Sequence, residues 1–264
     1  MSELLRELQE RAHTARPFPL SREELSGAAG KFFEFLTLPQ ETKNSLFFIR
    51  NPNDPRGSDV GYMRTQGEKD EEYGHYDYKE FFHYHPEFSV QFADAITREP
   101  KLKALTDAAH TIFTHAEESV RSVLQELEVT YPGLYASFVD PERPLDRALR
   151  FLKYDAQGKG KFLARAHYDR GGCTLALAES APGLRIGTND ATLTEIVHKD
   201  QTAIFMPGFH FPDLTAGEIP AAWHDVIQAS EDTVSDDAAR WAIVYFVHAY
   251  DRKAPTSEQV HAPR

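Results

Sequence analysis

Apolar residues recur at helical spacing in the first part of this chain and at strand spacing in the second. Leu4, Leu5 and Leu8 fall on one face of residues 2–13, which predicts a short amphipathic helix. Ser21-Arg22-Glu23-Glu24 has the form of a capping box, in which serine and glutamate satisfy each other's backbone N–H, so a second helix is expected to run to about Leu36. The longest helical pattern extends from about Glu99 to Leu127, with Leu102, Leu105, Ala109, Ile112, Phe113, Ala116, Val120 and Leu124 three or four positions apart. Its histidines, His110 and His115, read as surface or half-buried residues. From Arg147 onward short apolar or alternating runs appear at 149–154, 163–167, 173–177, 183–187, 192–198, 202–206, 222–228 and 240–248, separated by Gly, Pro, Asp and Asn turns. Strands at that spacing predict a mainly β fold with flanking helices: a double-sheet jelly roll packed against the earlier helices. Neither an internal repeat nor a low-complexity linker interrupts the pattern. One domain over 1–264 is expected, mostly helical over 1–146 and with its β core over 147–251.

Composition narrows the class. With 264 residues, 41% hydrophobic and 27% charged, the chain is long enough for one large core. A net charge of −12 argues against nucleic acid or an anionic membrane as partner. Met1 to Leu8 is charged and amphipathic, unlike a signal peptide, and no apolar run approaches membrane-spanning length. The single cysteine, Cys173, excludes an intrachain disulfide and fits a reducing compartment, so a cytoplasmic location is expected. The expected partner is a small-molecule substrate, with the protein a monomer or weak oligomer.

Candidate chemistry centres on His167 and Asp169, in Ala166-His167-Tyr168-Asp169-Arg170-Gly171-Gly172, and on the distant His224 in Ala222-Trp223-His224-Asp225-Val226. Two neutral imidazoles and one carboxylate cancel half the charge of a divalent ion and leave roughly three octahedral positions for reactants, the pattern of a non-haem Fe(II) site. On an extended strand residues i and i+2 share a side, so His167 and Asp169 would converge while Tyr168 turns away. The chain has 12 histidines and two other His-x-Asp pairs. His75-Tyr76-Asp77 reads as loop followed by short helix or turn, and His198-Lys199-Asp200 as a polar hairpin before a strand. Only the pair at 167 is followed by a strand-like run, Cys173 to Leu177, after two glycines that permit close backbone approach.

The last strand adds Arg240, which shares a face with Ala242, Val244 and Phe246 and is suited to clamp a carboxylate. A strand-end surface charge is the alternative. Tyr154 could place a phenol beside the same carboxylate, or pack in the core. Arg170 and Arg64 are candidates for an acidic group on a substrate, and Tyr62, Phe82, Phe209 and Phe211 for an apolar pocket, against a plainer reading of each as solvated charge or core.

In this order Tyr154, His167 with Asp169, Leu184, His224 and Arg240 resemble the isopenicillin N synthase-like branch of the Fe(II)/2-oxoglutarate-dependent oxygenases. Pro182-Gly183-Leu184-Arg185-Ile186 looks like that branch's "GLQ" turn, and Thr215-Ala216-Gly217 ahead of Trp223-His224-Asp225-Val226 like "TNG" followed by "HRV". Upstream, Phe32-Phe33, Leu38 to Lys43, Gly61-Tyr62 and Asp77 to Phe82 are similar to its N-terminal helical signatures, so the likeness spans about Lys31 to Asp251. It implies a double-stranded β-helix (cupin-like) in which His167, Asp169 and His224 hold Fe(II), and Arg240, assisted by Tyr154, pairs with the distal carboxylate of 2-oxoglutarate. It further implies that O2 is consumed with release of succinate and CO2, most commonly with hydroxylation of the substrate. Three departures stand out. Ala242 replaces the usual serine two residues after the arginine, Leu152 stands where asparagine is usual, and the interval from His224 to Arg240 is longer than usual. By this resemblance the branch's first strand and much of its C-terminal lid are expected to be missing, which suggests a more open pocket or one completed by substrate. The alternatives are an iron oxidase that needs no 2-oxoglutarate and a catalytically silent jelly-roll metal-binding protein.

Overall fold

Alternation of inward and outward side chains along the strands sorts the chain into two facing sheets and a helical layer. The computed structural model describes residues 2–52, 58–70, 75–143, 146–234 and 238–262, with 66–70 and 75–77 described by backbone alone. Helix α1 (Glu3–Arg11) is followed by β1 (Thr14–Pro17), α2 (Arg22–Leu36), α3 (Gln40–Asn44), β2 (Phe47–Ile49), β3 (Asp59–Asp70), β4 (His75–Tyr84), α4 (Pro86–Gln91), α5 (Ala93–Arg98) and α6 (Pro100–Glu128). The β core then runs through β5 (Arg147–Asp155), β6 (Phe162–His167), β7 (Cys173–Glu179), β8 (Leu184–Gly187), β9 (Thr194–Glu195), β10 (Thr202–Pro207), α7 (Phe211–Leu214), β11 (Trp223–Ile227) and β12 (Ala238–Val247), and α8 (Ser257–His261) follows. The larger sheet has the order β1-β10-β7-β12-β5-β4-β3-β2 and the smaller one β6-β11-β8-β9. Every pairing between them is antiparallel.

Period two decides which side chains meet which layer. On the larger sheet Leu149, Phe151, Leu175, Phe205, Ile243 and Tyr245 pack with the helices, where Leu8, Phe32, Phe35, Leu105, Ile112 and Leu124 complete the main core. The intervening residues, among them Leu152, Tyr154, Ala176, Met206 and Ala242, face the smaller sheet and meet Leu163, Leu184, Ile186 and Val226. A fully buried aliphatic side chain contributes about 1.5–3 kcal/mol, so these two layers supply most of the drive to fold. The capping box is present, with Ser21 Oγ accepting from Glu24 N–H at 3.3 Å and Ser21 N–H donating to Glu24 Oε2 at 2.8 Å.

Several expectations need correction. The described part of residues 1–146 also carries β1 to β4, and β4 pairs with β5, so one sheet joins the two parts. The segment from His75 to Phe82, read as loop and helix, is strand β4, paired on both sides by β3 and β5. Two neighbouring ladders and buried Phe82 and Tyr84 outweigh its charged composition. The side chains of His75 and Asp77 lie outside the described residues. Residues Thr14–Pro17 form β1 at the sheet edge against β10, a strand that the periodicity did not predict. The strand expected over 192–198 shrinks to two residues because Asn189 and Thr192 form their own capping box around a tight turn. Among the described residues, no helix is long and apolar enough to cross a membrane.

Candidate metal centre and its cavity

Strand pairing brings the two distant histidines together. In the register of β11 on β6, His224 stands directly opposite His167. Cβ atoms across such a pair lie roughly 5 Å apart, and the two rings here have centroids 4.4 Å apart. Asp169 follows the end of β6, and its Oδ1 lies 3.9 Å from His167 Nε2 and 3.7 Å from His224 Nε2. All three donor atoms fall within 4.8 Å of one another. Tyr168 turns away and packs on Trp223, with centroids 4.8 Å apart. The two glycines after the pair serve close packing: a Cβ at Gly172 would collide with the Phe138 ring.

Hydrogen bonds aim these donors. His167 Nδ1 donates to Arg165 O at 2.6 Å and His224 Nδ1 to Ala222 O at 3.0 Å. A carbonyl only accepts, so each Nδ1 carries a proton and each Nε2 faces Asp169. Asp169 Oδ2 accepts from Thr174 Oγ1 at 2.6 Å, which leaves Oδ1 facing the histidines. Burial and the neighbouring His224 push His167 well below the usual imidazole range against the pull of Asp169, so the ring is neutral at physiological pH. Burial works against ionisation of Asp169, but His224, His167 and the Thr174 bond hold it below the usual carboxylate range. The product is two imidazoles and one ionised carboxylate converging on one point.

The centre opens on a cavity of about 70 Å³ between the sheets. Arg150, Leu152 and Tyr154 of β5 and Arg240, Ala242 and Phe246 of β12 line it, each set on one face of its strand. Arg240 and Tyr154 are register partners, with the guanidinium 5.9 Å from the ring centre, and Ala242 is opposite Leu152. Arg240 is therefore buried in the cavity wall, at 3% exposure, and is not a surface charge. Its NH2 bonds Glu179 Oε2 at 2.7 Å and its Nε bonds Ala181 O at 2.9 Å. Glu179 Oε1 lies 2.8 Å from His198 Nδ1, and His198 Nε2 is 2.9 Å from Ala176 O. Burial raises the affinity of Glu179 for a proton, but the His198 bond and Arg240 bring it below its ordinary range.

Sequence reasoning missed Glu179, Thr174 and Arg150. The signal for Arg150 was present, since it shares a strand face with Tyr154. Its Nε donates to His83 Nε2, and His83 Nδ1 lies 2.8 Å from Asp59 Oδ2. None of Arg64, Arg170, Tyr62, Phe82, Phe209 and Phe211 lines the cavity. Tyr62, Phe82 and Phe211 belong to the helix-side core, Phe209 packs with Tyr168 and Trp223, Arg64 is exposed near Glu80, and Arg170 donates to Pro255 O at 2.6 Å. Asp225, beside His224, forms a bidentate pair with Arg185 on the neighbouring strand at 2.8 and 2.6 Å, which accounts for the arginine in the Gly183-Leu184-Arg185 turn. A larger cleft of about 380 Å³, lined by Arg50, Arg143, Arg170 and Arg252, contains none of the converging residues.

The two facing sheets define the jelly-roll class, and comparison with solved structures gives the same fold. No family model matches the chain, and no curated protein matches it in sequence. A 2OG-Fe(II) oxygenase family protein from Caulobacter crescentus superposes with a TM-score of 0.71 at 19% identity, covering 98% of this chain and 87% of that one. AtDAO1, the dioxygenase for auxin oxidation 1 of Arabidopsis thaliana in its 2-oxoglutarate complex, superposes with 0.71 at 16% identity over 99% and 94%. An oxygenase from Shewanella oneidensis gives 0.67 at 19% identity over 98% and 90%.

Proposed function

We propose that this protein is a non-haem Fe(II)- and 2-oxoglutarate-dependent oxygenase acting on a small-molecule metabolite in a reducing, cytoplasmic compartment. His167, Asp169 and His224 are its metal ligands, and Arg240 with Tyr154 anchors the cosubstrate. One observation carries the reading: His167 Nε2, Asp169 Oδ1 and His224 Nε2 converge with both Nδ1 protons already committed to carbonyls, beside a cavity that holds a buried arginine. The donor set fits the ion, being half-neutralising, oxygen- and nitrogen-based, and confined to one side. When bound, Fe(II) and 2-oxoglutarate supply dioxygen activation and the electrons for it, with succinate and CO2 as by-products.

The chain's own residues have separable tasks. Arg165 O and Ala222 O fix the imidazole tautomers, and Thr174 holds the carboxylate. Arg240 offers a charged donor at the cavity wall while Glu179 keeps that guanidinium oriented and charge-balanced during folding. Leu152, Met206 and Val226 keep the space beside the centre apolar, which strengthens each electrostatic contact inside it.

The contact between Arg240 and Glu179, together with Ala242, favours one second reading, an iron oxidase that draws its electrons from the substrate alone. One anaerobic experiment separates the two. Adding Fe(II) and then 2-oxoglutarate should produce a visible metal-to-ligand charge-transfer band, and Asp169→Ala should abolish the band and, once O2 is admitted, succinate release. Bound iron whose spectrum ignores 2-oxoglutarate would replace the first reading with the second, and failure to retain iron at all would leave a silent jelly-roll protein.

A further inference from the structure

We propose that Arg150 anchors a carboxylate of the primary substrate, so that the substrate is a small organic acid with an apolar body; this rests on the oxygenase reading above. The placement of Arg150 is the first support. Phe246 is the register partner of Thr174, the residue bonded to Asp169, and the Arg150 guanidinium lies 4.7 Å over the Phe246 ring. Arg150 thus stands at the metal end of the cavity. Arg240 stands at the other end, opposite Tyr154, and the four-residue step from Arg150 to Tyr154 covers about 13 Å of strand. Strand positions that far apart suit two different acids, one at each arginine.

The way Arg150 is held is the second support. Phe81, at 4.9 Å, and Phe246 bracket the guanidinium, a planar cation between two aromatic faces. Its Nε donates to His83 Nε2, so the proton of that buried imidazole sits on Nδ1, which lies 2.8 Å from Asp59 Oδ2. Asp59 and His83 are positioning residues that set the plane of the guanidinium, and a fixed plane is what bidentate recognition of a carboxylate requires. Burial and the adjacent Arg150 charge hold His83 below the usual imidazole range, so His83 is neutral. The lining also includes Ala164, Val226 and Val244, which can take a hydrocarbon or aryl body.

The test uses the anaerobic Fe(II)- and 2-oxoglutarate-loaded protein, titrated by calorimetry with straight-chain acids of four to ten carbons, phenylacetate, and the matching primary amides. At least one acid should bind at least about tenfold more tightly than its amide. Arg150→Gln should erase that preference, Arg150→Lys should keep part of it, and both should retain the charge-transfer band at the wild-type 2-oxoglutarate concentration. The proposal falls if no acid is preferred, if Arg150→Gln keeps the preference, or if Arg150→Gln weakens 2-oxoglutarate instead, which would make Arg150 the cosubstrate anchor. A wild-type protein without the band refutes the oxygenase reading; a band without acid preference refutes this inference alone.

Discussion

Replacing Glu179 by Gln tests how the buried arginine of the cavity is balanced. Glu179 and Arg240 are each at most 5% exposed and meet at 2.7 Å, so the substitution leaves a guanidinium in the interior without its counter-charge. Breaking a buried pair from one side typically costs 3–5 kcal/mol, because the stranded charge keeps its desolvation penalty. Gln preserves the shape, an acceptor for Arg240, and the contact of Arg240 with Ala181 O at 2.9 Å, which places the expected loss near the lower bound, about 3 kcal/mol. For a chain of this size that is a fall of roughly 6–12 °C in Tm, read by circular dichroism. A second readout follows from the proposed role of Arg240. A carboxylate arriving from 2-oxoglutarate restores the missing charge, so the cosubstrate should stabilise Glu179→Gln more than the wild type, by about 1–2 kcal/mol. A variant within about 0.5 kcal/mol of wild type would refute the pairing argument. Equal stabilisation of both proteins by 2-oxoglutarate would refute the placement of the cosubstrate at Arg240.

Two further outcomes are expected. Thr174→Val removes the 2.6 Å bond to Asp169 Oδ2 without changing volume, and should weaken Fe(II) by about 10–100-fold in an anaerobic titration while the fold is kept. Acid should expose the Asp59 to His83 link. Burial alone would raise Asp59, but the His83 bond and the Arg150 charge bring it down to about 2, from an ordinary 3.8. A folded-state value below the unfolded one means stability that is present above roughly pH 4 and is lost as pH falls toward 2, here about 2 kcal/mol. Asp59→Asn should flatten the stability curve in that window, and an unchanged curve would refute the link.

How much of this was legible beforehand differs by element. The three main helices and most core strands could be read from periodicity, because their buried faces are drawn by local spacing: Leu4, Leu5 and Leu8 on α1, and the row from Leu102 to Leu124 on α6, are all buried. The triad could be named from residue type and from the company of the His167 pair. Strand β4 could not, since its charged, aromatic segment becomes a strand through the ladders of β3 and β5. The N-terminal signatures around Gly61 and Asp77 fall in strands, where a helical part was expected. Glu179 and Thr174 left no local mark, as their roles depend on partners far away in the chain.

The amino-acid order by itself determined which residues alternate, where the helices begin, and which side chains have the chemistry to hold a metal or a carboxylate, since these follow from covalent identity and short-range geometry. Only the tertiary structure decided that His224 stands opposite His167, that Glu179 faces Arg240, and that Arg150 shares a cavity with the triad. Those facts depend on strand register, which is set by how whole faces bury against one another, and no short window of the chain contains both sides of that choice.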